Sequence, residues 1–214
     1  MPEKQPMGFN ETIAWYDANA DTYSEHIDDF PSHDLLDRFT KEVGQGGNVI
    51  DAGCGPGRDT QLLHERGLHV TGLDITPGLL KVAQERHPEL TFVEGNFLNL
   101  PNKNNTLDGI WAHASLLHLE TIRQVKRALK EFHRTLKPNG VLHIFVKQQI
   151  GNEKTSVVSD KVSSHDRFFR WFTGEEIRTM LEEVGFVLNE LQDNYPDPCG
   201  RNEIKWVWAL ARKK

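Results

Sequence analysis

Three glycines at alternate positions, Gly53, Gly55 and Gly57, stand between an apolar run and an amphipathic one in Asn48-Val49-Ile50-Asp51-Ala52-Gly53-Cys54-Gly55-Pro56-Gly57-Arg58-Asp59. That order reads as a strand, a tight turn and a helix start. Glycines there let backbone approach a bound molecule where a Cβ would clash, and the free N–H groups of a helix start favour an anionic group nearby. The spacing is not the dinucleotide fingerprint G-x-G-x-x-G, because Arg58 stands where the third glycine would. A plain glycine-rich turn is the alternative reading. Asp74 closes the next predicted strand, where a carboxylate either accepts both hydroxyls of a ribose or serves as an acid before the helix opened by Pro77. His113 and His118 lie just past a fourth strand, where open α/β sheets place their ligands. Each could orient an acceptor or take its proton, or be a helix-capping or surface histidine.

A second group of residues stands later. Asp166-Arg167-Phe168-Phe169-Arg170-Trp171-Phe172 interleaves two arginines with four aromatics. The polar stretch 147–165 before it reads as a mobile loop. Arg167, Phe169 and Arg170 could form a substrate wall, with the arginines for an anionic acceptor. Core under the last strands is the competing reading of the aromatics.

The elements that must hold these residues follow from the pattern. Residues 1–9 read as a frayed tail, 10–29 as a helix interrupted by Pro31, and 33–43 as a second helix ended by Gly44, Gly46 and Gly47. Strands are predicted over 48–52, 68–74, 90–94, 106–112, 141–146, 186–191 and 204–211. Helices are predicted over 58–66, 77–86, 121–136 and 173–184, the last with a capping box, Thr173 and Glu176. Alternation of strands and helices means a parallel sheet with helices on both faces. The last two strands are joined too closely for a crossover helix, so they pair antiparallel.

The chain has 214 residues, 37% of them hydrophobic, enough for one sizeable core. A net charge of −6 argues against a broad grip on nucleic acid. Cys54 and Cys199 make no metal spacing, so no metal is expected, and the chain reads as reduced and cytoplasmic. No apolar run approaches a membrane span of about 20 residues, so no membrane partner is expected.

Asp51-Ala52-Gly53-Cys54-Gly55-Pro56-Gly57 resembles motif I of the class I S-adenosylmethionine-dependent methyltransferases, where the loop holds the methionine end of the cofactor. Gly72-Leu73-Asp74-Ile75 is similar to the family's ribose-binding strand end. Asn96-Phe97 stands where the family usually carries an aspartate that meets the adenine amino group; asparagine offers one carbonyl acceptor for that contact. The stretch from Asp108 to Leu119 resembles the strand-four motif, with Asp108 structural and the backbone after Trp111 facing the cofactor. Leu136-Lys137-Pro138-Asn139-Gly140 is a further signature, and Tyr16-Asp17-x-x-Ala20-x-x-Tyr23 resembles the segment that closes over the cofactor in many members.

The resemblance, to a small bacterial-type member, covers about residues 40–211. It implies a Rossmann-like, seven-stranded, mostly parallel sheet with an antiparallel last strand and an N-terminal helical cap. Residues 1–44 would be the cap and 45–214 the cofactor-binding domain. It implies S-adenosylmethionine held by Tyr16, Tyr23, Asp51, Gly53, Cys54, Gly55, Arg58, Asp74, Ile75, Asn96, Phe97 and Ala112, with His113 and His118 catalytic. Core packing is the competing reading for Phe97 and the tyrosines, and a solvated first-turn residue that for Arg58.

The implied reaction is displacement at the sulfonium methyl, which needs no metal, and needs a base only when the acceptor arrives protonated. Small size favours a small-molecule acceptor. Asn202-Glu203-Ile204-Lys205-Trp206 is faintly similar to transfer-RNA wobble-uridine methyltransferases, an alternative that requires a partner to supply basic surface. A noncatalytic cofactor-binding subunit and a nicotinamide-dependent oxidoreductase are the rivals, and Arg58 argues against the latter.

Overall fold

The structure is a computed structural model that describes residues 9–27, 31–159 and 166–214. Its strands are β1 (Asn48–Ala52), β2 (His69–Asp74), β3 (Thr91–Glu94), β4 (Leu107–His113), β5 (Leu136–Lys147), β6 (Thr155–Ser159), β7 (Asp166–Arg170), β8 (Phe186–Pro196) and β9 (Lys205–Lys213). Seven of them form one sheet in the order β3-β2-β1-β4-β5-β9-β8, and β6 pairs with β7 as a separate antiparallel hairpin. The first five strands run parallel, whereas β9 lies antiparallel between β5 and β8. Central strands such as β1 and β4 are buried on both faces, which explains their continuous apolar runs.

The helices are α1 (Phe9–Ala18), α2 (Ala20–Ile27), α3 (His33–Val43), α4 (Arg58–Glu65), α5 (Pro77–Arg86), α6 (Ile122–Thr135) and α7 (Gly174–Val184). The chain winds outward through β2 and β3 by way of α4 and α5, then returns to set β4 on the other side of β1. It continues through α6 to β5. Right-handed crossovers that wind in opposite directions put their helices on opposite faces. The strand order reverses between β1 and β4, so the crevice for a ligand lies beyond their carboxyl ends.

α3 packs Leu35, Leu36 and Phe39 into the main core. α1 and α2 rest on α5 instead, around Ala20, Leu79 and Val82, with Tyr16 and Tyr23 against them. The amide of Gly78 donates to the Asp17 carboxylate at 2.6 Å, tying α5 to α1. The Thr173–Glu176 capping box is present, and α6 carries a second one, Thr121 with Gln124.

Several expectations are corrected. The helix expected over 10–29 breaks at Asn19, whose side-chain amide donates back to the Trp15 carbonyl at 2.8 Å; residues 28–30 lie outside the described ones. Of the expected tail, 1–8 also lie outside them, and Phe9 opens α1. The stretch 147–165 is not all loop: Thr155–Ser159 pairs with β7, and 160–165 are not described. β5 starts at Leu136, paired with Leu107, and bulges before Val141 reaches Gly109.

Candidate active site

The glycine loop leaves β1 and is pinned to the end of β2. The amides of Gly53 and Cys54 both donate to the Leu73 carbonyl, at 2.7 and 3.1 Å, and that of Gly55 donates to Asp74 Oδ2 at 2.9 Å. Gly53 has φ +85°, and a Cβ there would stand 2.5 Å from Ser115 Cβ. Gly55 has φ +54°, and a Cβ there would meet nothing within 4 Å. The first glycine is thus required by its neighbour in the protein, whereas the second is favoured only by its left-handed backbone.

Asp74 is buried, and its other oxygen accepts the Thr76 amide at 2.9 Å. The Thr76 side chain and the Ile75 amide also donate to this carboxylate, and burial pushes the carboxyl up despite these bonds. The hydroxyl of Ser115, just past β4, is buried beside Gly53 with no hydrogen-bond partner among the described residues. A buried carboxylate at the end of β2 beside the glycine loop and the orphaned Ser115 hydroxyl fit a ligand that carries ribose hydroxyls along the loop, as S-adenosylmethionine does.

Several expected cofactor residues face the protein rather than the crevice. Asp51 is buried and accepts the Thr60 hydroxyl at 2.7 Å; burial and the nearby Asp59 charge hold its carboxyl up. Arg58 is neither solvated nor free: Nε donates to Asp59 at 2.7 Å and Nη1 to the Ile27 carbonyl at 2.7 Å. Burial works to raise the Asp59 carboxyl, but Arg58 and the Trp111 indole N–H at 2.9 Å hold it below the usual range. Cys54 is a small buried residue whose thiol is pushed up by burial. Phe97 belongs to the main core and lies close to Gly53. Ala112 is fully buried in β4 beside Ile144, and Ile75 is half-buried. Asn96 uses its carbonyl oxygen on the Leu98 amide at 2.8 Å, with one lone pair remaining.

A cavity of about 400 Å³ opens beyond β4 and β5. α1 and α2 wall it with Trp15, Tyr16 and Tyr23, whose rings meet edge to face at centroid distances of 4.9 to 6.2 Å. Its floor is a row of near-parallel rings: His113 on Phe145 at 4.3 Å and Phe145 on Trp206 at 4.5 Å. Both expected histidines line it.

Hydrogen bonding gives the two histidines opposite characters. An indole N–H only donates, so Trp208 Nε1, 3.1 Å from His143 Nδ1, makes that nitrogen an acceptor. The neutral His143 then carries its proton on Nε2 and donates to His113 Nδ1 at 3.2 Å. His113 is left with its own proton on Nε2 and no vacant nitrogen. Burial holds it neutral, its pKa lowered to about 4. His118 is the reverse. Its Nδ1 donates to the Phe168 carbonyl at 3.0 Å, so Nε2 is the acceptor, 3.3 Å from the Tyr16 hydroxyl. Burial lowers its pKa to about 4 as well.

Arg167 and Phe169 line the cavity, whereas Arg170 does not. Residues on a strand alternate faces, so Arg170 points away and donates to the Leu119 carbonyl at 3.2 Å and to the Glu120 carbonyl. Arg167 lies over the Trp15 ring, 4.6 Å from its centroid, and donates to the Tyr16 hydroxyl at 3.4 Å. Lys147, Arg201 and Asp197 also reach the cavity and were not anticipated from the sequence. The available signal was the alternation His143, Phe145, Lys147 along β5. Among the described residues no cluster of His, Cys, Asp or Glu could hold a metal ion, and no helix is long and apolar enough to cross a membrane.

A family model described as a methyltransferase domain matches residues 50–144. An uncharacterized methyltransferase of Oceanobacillus iheyensis is 26% identical over 134 residues, covering 63% of this chain and 59% of that protein. A demethylmenaquinone methyltransferase of Paenarthrobacter aurescens is 32% identical over 110 residues, covering 51% of this chain and 42% of that one. The chain thus matches about half the length of these relatives. The structure of a Burkholderia thailandensis 1,6-didemethyltoxoflavin-N1-methyltransferase, with bound 1,6-didemethyltoxoflavin and S-adenosylhomocysteine, shares the fold. Its TM-score is 0.73 at 22% identity, covering 100% of this chain and 94% of that chain. The domain match falls on the glycine loop and the β4 end, where the fold itself puts a ligand, so the chain carries a segment similar to a methyltransferase domain over residues 50–144 on a fold shared with S-adenosylmethionine-dependent methyltransferases.

Proposed function

We propose that the protein methylates an oxygen or nitrogen nucleophile of a small molecule held in the 400 Å³ cavity, releasing S-adenosylhomocysteine. What carries the reading is the cavity itself: it begins at Arg58, immediately after the glycine loop, and its walls bear both histidines. When bound, the cofactor supplies an electrophilic methyl on a sulfonium centre. The chain's part is to align the acceptor and keep water out. The Asp74 carboxylate accepts from the ribose hydroxyls, and Tyr16 and Tyr23 close over the loop from the cap made by α1 and α2. His113 presents an N–H that orients the acceptor but cannot take its proton. His118, reached through the Tyr16 hydroxyl, is the group that takes a proton from an acceptor that arrives with one. Arg167 faces the same space, suited to an anionic acceptor.

Calorimetric titration with S-adenosylhomocysteine, on wild type and Asp74→Ala, tests the cofactor half. Binding that the substitution weakens tenfold or more is expected; a folded wild type that does not bind overturns the reading. Transfer of labelled methyl into separated small-molecule and RNA fractions of a cell extract tests the rest. Label is expected among small molecules. Label in RNA favours the transfer-RNA alternative, and binding without transfer to any fraction favours a noncatalytic subunit.

A further inference from the structure

Cations on the cavity wall are mostly satisfied from within the protein. Arg58 pairs with Asp59 at 2.7 Å. Arg201 grips Asp197 with Nε at 2.8 Å and Nη2 at 2.9 Å, and Asp197 also accepts the Trp206 indole N–H at 2.8 Å. Lys147 is different. Its ammonium sits 3.6 Å from the centre of the Phe169 ring. No described carboxylate lies within ion-pair distance of it, and no described group accepts a hydrogen bond from it. A cation shielded from water without an anionic partner is unfavourable. The groups around it are Arg167 on β7, and Arg201, Asp197 and Cys199 between β8 and β9; burial, then Arg201 and Arg167, lower the lysine pKa to about 8.

The surroundings specify the ligand further. Lys147 follows Phe145 on the same face of β5, so the ammonium stands beside the stack of His113, Phe145 and Trp206 rings on the cavity wall. The cofactor's ribose anchor is elsewhere: Asp74 ends β2, and β1 and β4 intervene before β5. At about 4.8 Å per strand, the two strand ends are about 14 Å apart.

We propose that Lys147 anchors a carboxylate of the acceptor, so that the molecule methylated is an organic acid; this rests on the methyl-transfer reading above. The carboxylate completes the ion pair that the fold leaves open at Lys147.

The test titrates S-adenosylhomocysteine-saturated protein with benzoate and with its neutral counterpart, benzyl alcohol. Wild type is expected to bind benzoate at least tenfold more tightly than the alcohol. Lys147→Met, which keeps a flexible stem against Phe169, is expected to erase that preference while S-adenosylhomocysteine affinity stays within twofold. At pH 8, benzoate binding to wild type is expected to take up protons, seen as a dependence of the heat on buffer ionisation. This last readout needs no variant, so it decides the matter should Lys147→Met fail to fold. No preference for benzoate in wild type, a preference that survives Lys147→Met, or no proton uptake overturns the proposal. A tenfold loss of S-adenosylhomocysteine affinity in Lys147→Met also overturns it, by assigning the ammonium to the cofactor's own carboxylate. A wild type that does not bind S-adenosylhomocysteine removes the methyl-transfer reading instead.

Discussion

The indole N–H of Trp208 donates to Nδ1 of His143 at 3.1 Å, and through that ring it decides which nitrogen of His113 carries a proton. Trp208 never touches the cavity, yet it fixes whether a residue of the cavity wall donates or accepts. In Trp208→Phe the ring remains and the donor is lost, leaving a buried His143 nitrogen unpaired at a cost of about 1–3 kcal/mol. Imidazole ¹⁵N NMR is expected to show His113 as a single Nε2–H tautomer in wild type and as a mixture in the variant. A wild-type His113 protonated on Nδ1 would contradict the relay.

Stability depends on pH through the same rings. His113 and His118 have pKa values lowered to about 4 by burial, and His143 is held well below its ordinary value by burial and by His113. The unfolded value is about 6.5. Between the two, the unfolded chain binds protons that the folded protein does not, so stability falls as pH falls through this window. His113 and His118 are each expected to contribute about 1–3 kcal/mol of loss by about pH 4, and His143 adds a loss in the same direction. Urea melts from about pH 7.5 down to about pH 5 measure it, and a midpoint that does not move would be inconsistent with neutral buried rings.

The two glycines of the loop part company on substitution. Gly53→Ala forces a Cβ onto Ser115 Cβ at 2.5 Å in a left-handed backbone and is expected to lower the melting temperature markedly. Gly55→Ala incurs only the left-handed strain, about 1–2 kcal/mol, because its Cβ meets nothing in the protein. With the loop as the cofactor's seat, S-adenosylhomocysteine affinity is expected to fall at least tenfold while the fold persists. Melting curves and titrations on the pair separate the two effects.

Arg170→Ala is expected to reduce stability by about 1–2 kcal/mol, since the carbonyls of Leu119 and Glu120 lose their donor, and to leave ligand affinity unchanged. Arg167→Ala is expected to weaken acceptor binding, because its side chain faces the cavity from the same strand. Parallel losses of affinity in both variants would place both arginines at the ligand.

What the sequence made legible was local. The glycine loop, Asp74 and the two histidines at and after the end of β4 each follow from a short motif and a strand end; the loop is tied to Asp74, and the histidines line the cavity. The alternation of one strand separates Arg167 from Arg170, and that was available in the sequence once 166–170 was taken as a strand rather than the exit of a loop. His143, Lys147 and Trp208 were hidden for another reason. Their roles depend on β9 entering between β5 and β8, which sets Trp208 opposite Phe145 and Trp206 opposite Lys147. No local pattern encodes that register. The pairing of Arg58 with the adjacent Asp59 was hidden because Asp59 is drawn inward by Trp111, a residue distant in sequence.

The insertion of β9 also sets an order of assembly. As the chain emerges in synthesis, the glycine loop, Asp74 and both histidines precede the strand that carries Trp206 and Trp208. Until β9 slides into place, β8 has no neighbour and β5 has an open edge, a liability for mispairing with other chains. Closing that gap joins strands far apart in sequence, which is slow. The donor character of His113 is therefore acquired at the last step of folding. A nascent or clipped chain ending before Lys205 carries every motif of the loop, but lacks the strand that holds His143 in one tautomer.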